Sequence, residues 1–346
     1  MVPTETGIAE AETVKGHDSD FVSILIPTRN SSKYLAMVLD SIFNLDYDRN
    51  KLEVIIVDAM SSDATAAIAK SRGCRVIETP GNAPTAYNKA INECRGDLIA
   101  FADSDAIVDK LWLQNLVGRL KREDSHIAGV GGLCLTQNRD RVIARLVGYD
   151  MDWRFSKIRA SHLHFPTMNL LCRKSSIIQI GGFNENLEVG YDVDLGLKLQ
   201  SEGFQMVYEP TAVVYHWHRD TLKGYARQQF TTGRNVPRLL LDNGMKMSGS
   251  RIDPASMYVE PIVLLASIAV VLLGLLTIQT LILVGAIIGS YLPVIYISRT
   301  AQIGVLQKRP DVILLPGFYT VRLICWTMGA SLFAMSEATR PFARRV

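Results

Sequence analysis

The chain has 346 residues, a formal net charge of +3 at pH 7 and a hydrophobic fraction of 48%. This nearly balanced charge, with no basic face or base-reading motif, excludes a typical nucleic-acid-binding protein. The five cysteines stand far apart without a Cys-x-x-Cys pair. That spacing excludes a disulfide framework and a cysteine zinc site, and it is typical of reduced thiols in a domain that faces the cytoplasm.

The distribution of apolar residues divides the chain into a soluble part and a membrane part. Residues 1–20 are polar and acidic without the apolar core of a signal peptide, so a flexible tail is expected there. Residues 21–235 form the predicted soluble domain. A polar connector is expected at 236–257, a transmembrane hairpin at 258–298, and a basic loop with a third apolar helix at 299–346.

Strand and helix patterns alternate through the first hundred residues of the soluble domain. Strands are predicted at 22–26, 52–57, 74–78 and 98–102, and helices at 34–44, 64–71 and 84–94. Such alternation predicts an α/β fold whose central sheet is mostly parallel, with helices on both faces. Farther along, the pattern is less regular, with strands predicted at 130–135, 167–173, 206–208 and 212–215 and a helix at 192–202. The stretch 136–171 gives no clear pattern beyond these.

Two uncharged apolar stretches follow the soluble domain, at 258–276 (apart from Glu260 near its start) and 280–297. Each is long enough to cross a hydrocarbon core of about 30 Å. Arg299, Lys308 and Arg309 follow the second stretch. By the positive-inside rule they place this loop, and with it the soluble domain, in the cytoplasm.

The third apolar segment, 312–335, permits two interpretations. It contains Arg322, and a charge near the middle of a membrane span is costly. A third crossing also leaves Arg340, Arg344 and Arg345 outside, against the positive-inside rule. The segment is therefore either a third span or a re-entrant or interfacial helix.

An apolar strand ends abruptly at Asp103-Ser104-Asp105. In open α/β sheets, ligands bind beyond the carboxyl ends of the strands. Paired carboxylates at that position suit a hard divalent cation that bridges phosphate oxygens. The alternative is an ordinary polar turn, because Asp and Ser are common turn residues.

Polar residues also follow the first two predicted strands. Asp58 closes the second strand, where an acidic side chain can hydrogen-bond a nucleoside. Pro27 and Arg29 follow the first strand, and Arg29 suits a phosphate or a base. The competing interpretations are a turn carboxylate and a solvated loop arginine.

Two later clusters complete the polar residues. Asp192 and Asp194 begin a predicted helix, where one carboxylate acts either as a general base or as a helix cap. His216 closes a predicted strand and either ligates a metal, holds a diphosphate or is an ordinary surface histidine. Gln229 and Arg234 stand just before the membrane part and either hold phosphates or end an amphipathic helix.

Taken together, these residues resemble family 2 glycosyltransferases with a GT-A fold. The resemblance covers about residues 21–235 and rests on short motifs in the family's order. The motifs are VSILIPTRN (22–30), EVIIVD (53–58), SSDAT (61–65), AYNKA (86–90), RGD (95–97), DSD (103–105), GGFNE (181–185) and DVD (192–194).

The resemblance implies a role for each matching position. Asp103 and Asp105 match the DxD pair that contacts the ribose and a Mg²⁺ or Mn²⁺ ion, with His216 as a further metal or diphosphate ligand. Asp192 matches the catalytic base, although Tyr191 replaces the glutamate that precedes it in the family, which leaves Asp194 as the weaker alternative. The donor substrate is expected to contact Pro27, Arg29, Asp58, Asn88, Asp103, Asp194, Gln229 and Arg234.

These roles predict an inverting, metal-dependent enzyme at the cytoplasmic face of the cell membrane. Since the Gln-x-x-Arg-Trp signature of processive synthases is absent, it is expected to transfer a single sugar from a nucleotide sugar to a polyprenyl-linked glycan. One alternative is a polyprenyl-phosphate sugar synthase, in which the lipid phosphate itself attacks the sugar. Another is a catalytically silent membrane scaffold that binds nucleotide sugars, for which the Tyr191 replacement is the only indication.

Overall fold

The computed structural model describes residues 21–158, 161–162, 164–244 and 255–339. The predicted tail, residues 245–254 of the predicted connector, and Arg340, Arg344 and Arg345 lie outside the described residues. The strands are β1 (Val22–Thr28), β2 (Leu52–Asp58), β3 (Arg75–Glu78), β4 (Leu98–Phe101), β5 (Ala106–Val108), β6 (Ile127–Thr136), β7 (Ser161–His162), β8 (Leu170–Arg173) and β9 (Gln205–His216). The helices are α1 (Ser32–Phe43), α2 (Thr65–Ser71), α3 (Ala83–Glu93), α4 (Trp112–Leu120), α5 (Val142–Phe155), α6 (Lys174–Gln179), α7 (Tyr191–Ser201), α8 (Leu222–Asp242), α9 (Ala255–Leu276), α10 (Thr280–Gln307) and α11 (Leu315–Ala338).

The described strands form one sheet with the spatial order β3-β2-β1-β4-β8-β6-β9-β5, and β7 pairs with β9. The β3-β2-β1-β4 portion is parallel, as predicted from the alternation of strands and helices. Val22 and Ile24 to Ile26 of β1 are fully buried apolar residues, which is expected where both faces of a parallel sheet are covered. Beyond β4 the sheet is mixed, because β8 runs antiparallel to both β4 and β6 while β6 and β9 are parallel.

The parallel strands bring several predicted site residues to one edge of the sheet. Thr28, at the end of β1, lies in register with Asp58 at the end of β2. Leu25 of β1 lies in register with Phe101, the last residue of β4. Asp103 follows two residues later, so it is carried past the same end of β1.

The less regular region departs from the prediction in three places. Residues 167–169 form a 3-10 turn, and the strand begins only at Leu170. The strands predicted at 206–208 and 212–215 are one continuous β9, with a register shift opposite Gly132 and Leu133. Helix α5 was not predicted, because its buried residues pack into two different hydrophobic cores and therefore do not form a single apolar face. Phe155 belongs to the core of the sheet, whereas Tyr149 packs with residues of α10 and α11.

Helix α8 runs into the predicted polar connector, because it continues to Asp242 despite Pro237. Its neighbour is α11, and the two helices approach each other through glycines. A Cβ atom on Gly233 would collide with the backbone of Trp326, and one on Gly329 would collide with the backbone of Phe230. This close contact of α8 with α11 packs the two helices against each other.

Three described helical segments are long and apolar enough to cross a membrane, at 257–276, 280–307 and 310–338. The second one extends past the hairpin boundary predicted at 298, so Arg299 lies within α10 rather than in a loop. The expected basic loop is therefore reduced to Lys308 and Arg309, which precede a 3-10 turn at Pro310–Leu314.

The charge in the third apolar segment has buried partners. Arg322 Nη2 lies 3.0 Å from Glu260 Oε2, and Arg299 Nη2 lies 3.6 Å from Glu260 Oε1. The hydroxyl of Tyr296 donates a 3.0 Å hydrogen bond to Glu260, and that of Tyr319 donates a 2.8 Å bond to Asp150 of the sheet domain. A buried charge is tolerated when it is paired and hydrogen-bonded, so Arg322 is explained by packing between helices.

Candidate active site

Asp103, Asp105 and His216 form a group of possible metal ligands. One ligand atom from each lies within 4.8 Å of the ligand atoms of the other two. The antiparallel pairing of β5 with β9 brings them together, because Ala106 is in register with His216. His216 Nε2 is then 3.1 Å from Asp105 Oδ1 and 3.8 Å from Asp103 Oδ2. Two carboxylates and an imidazole are a donor set that fits Mg²⁺ or Mn²⁺.

The pKa values of the triad residues are shifted, because their ionisable groups lie close together and partly shielded from water. Burial and the neighbouring Asp105 carboxylate raise the pKa of Asp103 to about 7. Burial disfavours the charged forms of Asp105 and His216, but the hydrogen bond and the charge attraction between them outweigh this effect. The pKa of Asp105 is therefore lowered, and the pKa of His216 is raised. Burial and the adjacent His216 lower the pKa of His218 to about 3. A half-buried pair of neighbouring carboxylates is an arrangement that a bound divalent cation neutralises.

The triad opens into a cavity of about 480 Å³ that also reaches the apolar helices. Its lining comes from the sheet edge, from α5 and α8, and from the apolar helices α9 and α11. The lining residues are Pro27, Asp103, Ser104, Asp105, Val147, Asp150, Met151, Arg154, Met168, His216, Trp217, His218, Arg219, Tyr225, Gln228, Gln229, Thr232, Met257, Phe318, Arg322 and Trp326. One cavity therefore connects a possible metal centre with side chains of the apolar helices α9 and α11.

Asp58 is buried and held by its own loop. It accepts a 2.8 Å hydrogen bond from the Thr28 hydroxyl and a further 2.8 Å bond from the backbone N–H of Ser61. The Ser61 hydroxyl donates a third bond, at 2.5 Å. These three hydrogen bonds fix the Asp58 carboxylate and hold the ends of β1 and β2 together.

The two residues predicted after β1 have different positions. Pro27 lines the cavity next to the triad. Arg29 is exposed in the following turn, where its backbone N–H donates a 3.3 Å hydrogen bond to Ser31 Oγ. Of the two, Pro27 is thus the residue that the fold places at the cavity.

Asp192 lies in the first turn of α7, after Gly190, whose φ of 82° is in the left-handed region. Its charge contributes to the raised pKa of Asp103, behind burial and the effect of Asp105, so the two carboxylates are electrostatic neighbours. Tyr191 points into an aromatic cluster, with ring centroids 6.2 Å from Tyr87 and 6.0 Å from Phe183. Tyr191, which replaces the expected glutamate, is therefore part of this aromatic packing.

Asn88 and Asp194, both predicted to contact substrate, instead have partners within the protein. Asn88 donates hydrogen bonds of 2.9 Å to Phe183 O and 2.8 Å to Glu185 Oε1, and its carbonyl oxygen accepts a 2.8 Å bond from the Phe183 N–H. Asp194 is 2% exposed, accepts a 2.9 Å bond from Asn243 and lies 3.2 Å from Lys198 Nζ. Neither residue lines the cavity among the described residues, and their contact with substrate stays a prediction.

Gln229 and Arg234 both lie on α8, but only one of them faces the cavity. Gln229 lines the cavity, and its Oε1 accepts a 2.9 Å hydrogen bond from the indole of Trp326. Arg234 is exposed and is absent from the lining of this cavity among the described residues. The fold thus brings Gln229, but not Arg234, to the candidate site.

Sequence reasoning missed the basic part of the cavity wall. Arg154 lies in the region without a clear pattern, and Arg219 belongs to no motif. Arg322 was visible as a charge in an apolar segment, but that signal was interpreted only as a cost for crossing the membrane. Trp217, whose ring stacks on Tyr34 at 4.6 Å between centroids, also lines the cavity.

The comparisons with known proteins concern the family and the fold. Residues 23–179 match the family model described as glycosyl transferase family 2. This match supports a family 2 glycosyltransferase, and the chain is a transferase enzyme with a GT-A fold.

Individual relatives are distant. The chain is 25% identical, over 62% of its length and 72% of the relative's, to the dolichyl N-acetyl-alpha-D-glucosaminyl phosphate 3-beta-D-2,3-diacetamido-2,3-dideoxy-beta-D-glucuronosyltransferase of Methanococcus voltae. It is 27% identical, over 66% of its length, to the pre-mycofactocin glycosyltransferase of Mycobacterium tuberculosis, of which it spans 50%. A solved mannosyltransferase from Pyrobaculum calidifontis, in complex with GDP-Man and Mn²⁺, shares the fold with a TM-score of 0.56 at 17% identity. That similarity covers 94% of this chain and 88% of the other.

Proposed function

We propose that this enzyme transfers a single sugar, with inversion, from a nucleotide-sugar donor to a lipid-linked acceptor at the cytoplasmic membrane face. The observation that carries the proposal is the cavity that joins the Asp103–Asp105–His216 triad to Met257, Phe318 and Trp326 of the apolar helices. A polar donor and a lipid-borne acceptor need such a shared space. The names of the Methanococcus relative and of the mannosyltransferase complex support a lipid-linked acceptor and a nucleotide-sugar donor.

Asp103, Asp105 and His216 are proposed to hold a Mg²⁺ or Mn²⁺ ion. When bound, such an ion stabilises the negative charge that develops on the departing nucleoside diphosphate. Asp58, fixed by Thr28 and Ser61, is proposed to orient the nucleoside at the neighbouring strand end, with Pro27 against it. Preorganised groups of this kind lower the barrier because they need no rearrangement during the reaction.

Asp192 is proposed as the general base. It stands at the start of α7 and is an electrostatic neighbour of Asp103. A base at this position removes the proton from an attacking hydroxyl while the sugar–phosphate bond breaks, and attack from the opposite face inverts the anomeric carbon.

A polyprenyl-phosphate sugar synthase is the second candidate, because Arg154 and Arg322 give the cavity a basic wall. In that reaction the lipid phosphate is already ionised and needs no base. The two candidates differ in the product, which is either an elongated glycan lipid or a lipid monophosphate sugar.

The orientation of the enzyme is proposed from the position of the basic loop. Asp311, two residues after Arg309, forms a 2.6 Å ion pair with Arg145 of α5. Lys308 and Arg309 therefore lie on the same side as the sheet domain, and the positive-inside rule assigns that side to the cytoplasm.

The test uses the full-length enzyme in detergent with Mn²⁺, a panel of nucleotide sugars and polyprenyl acceptors. We expect a wild-type glycolipid product, no product from Asp103→Ala, and near wild-type activity from Asp124→Ala, an exposed aspartate that does not line the cavity. Thin-layer analysis of the lipid then separates the two candidates. Absence of turnover by the wild type with every nucleotide sugar would favour the silent scaffold.

A further inference from the structure

The cavity beside the triad has a basic wall that the donor-binding roles do not use. Asp150 and Arg154 of α5 and Arg322 of α11 all line it. Arg322 is 3% exposed and Arg154 is 14% exposed, so both guanidinium groups are largely removed from bulk water.

The side chains at this wall belong to a network of ion pairs. Asp150 pairs with Arg154 and lies near Arg322, and Glu260 pairs with Arg322 and Arg299. Arg154 and Arg322 present their guanidinium groups to the cavity from two different helices. Guanidinium groups form strong, charge-assisted hydrogen bonds with anions, so this wall suits an anionic group in the cavity.

Arg322 retains hydrogen-bonding capacity toward such an anion. Its Nη2 is bound to Glu260 at 3.0 Å, but its Nη1 lies 3.8 Å from Asp150 Oδ2, which is longer than a hydrogen bond. The guanidinium group is a planar fork of donors whose geometry matches phosphate oxygens. A phosphate at this wall can therefore bind without displacing the Glu260 contact.

Apolar side chains stand in the same cavity. Met257 belongs to the beginning of α9, while Phe318 and Trp326 belong to α11. Phe318 also stacks on Tyr225, with ring centroids 4.0 Å apart. A ligand that joins an anionic group to a hydrocarbon chain uses both surfaces, whereas free phosphate leaves the apolar one without a function.

We propose that Arg154 and Arg322 bind the phosphate that links the acceptor to its lipid, while Met257, Phe318 and Trp326 contact the first carbons of the lipid chain. This inference rests on the proposed function, because it assumes that the triad holds the donor in the same cavity. Glu260 acts as a positioning residue, since it fixes the Arg322 guanidinium without itself lining the cavity.

Binding to the full-length protein in detergent tests the proposal without nucleotide sugar. The probes are geranylgeranyl phosphate, geranylgeraniol and inorganic phosphate. We expect the wild type to prefer the phosphorylated lipid over the alcohol by at least about tenfold, as charge-assisted hydrogen bonds from arginine provide. Inorganic phosphate is expected to bind more weakly than the phosphorylated lipid.

Arg154 carries the mutational test, because replacing Arg322 also removes the contact that holds α11 to Glu260. Arg154→Gln is expected to lower the preference for the phosphorylated lipid to below about threefold, and Arg154→Lys to restore part of it. Arg145→Gln is the matched control. Arg145 lies on the same helix, is ion-paired with Asp311 at 2.6 Å and does not line the cavity.

Three results would overturn the inference. The first is equal wild-type affinity for the phosphorylated lipid and the alcohol. The second is binding of inorganic phosphate as tight as that of the phosphorylated lipid. The third is an equal effect of Arg154→Gln and Arg145→Gln. The proposed function fails separately, if the protein binds the phosphorylated lipid but turns over no nucleotide sugar with Mn²⁺.

Discussion

The indole N–H of Trp326 donates a 2.9 Å hydrogen bond to Oε1 of Gln229. This bond joins the third apolar helix to a helix of the sheet domain at the wall of the cavity. Contacts continue along the same two helices, from Tyr225 with Phe318 to Arg238 with Glu337. Helices α8 and α11 therefore lie side by side in parallel, and the packing between them shapes the candidate site.

Replacing Gly329 with alanine should destabilise the protein, because the added Cβ collides with the backbone of α8. Gly118→Ala on α4 is the control, since a Cβ there meets no atom within 4 Å. Alanine in an open helical position is favoured over glycine by roughly 0.5–1 kcal/mol. Thermal unfolding in detergent should show a lower midpoint for Gly329→Ala and an equal or higher midpoint for Gly118→Ala; the reverse order would contradict the packing of α8 on α11.

The C-terminus should lie on the same side of the membrane as the sheet domain. Helix α8 carries Lys223, Arg227, Arg234 and Arg238, and a helix so charged is costly within hydrocarbon. Since α11 packs along α8, we expect α11 to lie at the membrane surface while α9 and α10 cross it. Proteolysis of a C-terminal tag and of a tag at the N-terminus in sealed vesicles should give the same accessibility; opposite accessibility would establish a third span.

Mn²⁺ binding should weaken as the pH falls through 7. Burial and Asp105 raise the pKa of Asp103 to about 7, and a metal ligand must be ionised. Since a one-unit change below the pKa protonates most of the carboxyl, affinity should fall by about tenfold from pH 8 to pH 6. Calorimetric titration measures this change, and Asp103→Asn should show no specific Mn²⁺ binding at either pH.

The same raised pKa determines the pH dependence of stability without metal. An acid whose folded pKa lies above its usual value of 3.8 stabilises the fold at low pH, and this contribution is lost as the pH rises through about 7. The increase in melting temperature caused by Mn²⁺ should consequently be larger at pH 8 than at pH 6. An equal increase at both pH values would contradict the raised pKa of Asp103 at the triad.

Asp192 and Asp194 should be separable by mutation. Asp192→Asn removes the proposed base, so kcat should fall by about 10²- to 10⁴-fold while the melting temperature stays the same. Asp194→Asn weakens the contacts with Lys198 and Asn243, so it should lower the melting temperature and leave kcat of the folded enzyme within a few fold. Comparable losses of kcat in both variants would argue against Asp192 as the base.

The sequence predicted the parallel part of the fold well, because that part is encoded locally. Apolar runs followed by polar residues mark strands such as β1 and β4, and the carboxyl ends of parallel strands meet at one edge. Asp58, Asp103 and Asp105 could be located in this way. The contacts that Asn88 and Asp194 make within the protein could not be predicted from the sequence. An amide or a carboxylate in a motif looks the same in the sequence whether it contacts substrate or the protein.

The sequence by itself determined the α/β class, the carboxylates at the strand ends and the division into a sheet domain and apolar helices. These features depend on the periodicity of apolar residues and on chain connectivity, which are local properties. Only the tertiary structure decided that Arg154 and Arg322 share a cavity with Asp103. Arg154 and Arg322 are 168 positions apart in the chain, and their proximity depends on the packing of α11 against α5 and α8, which no local pattern records.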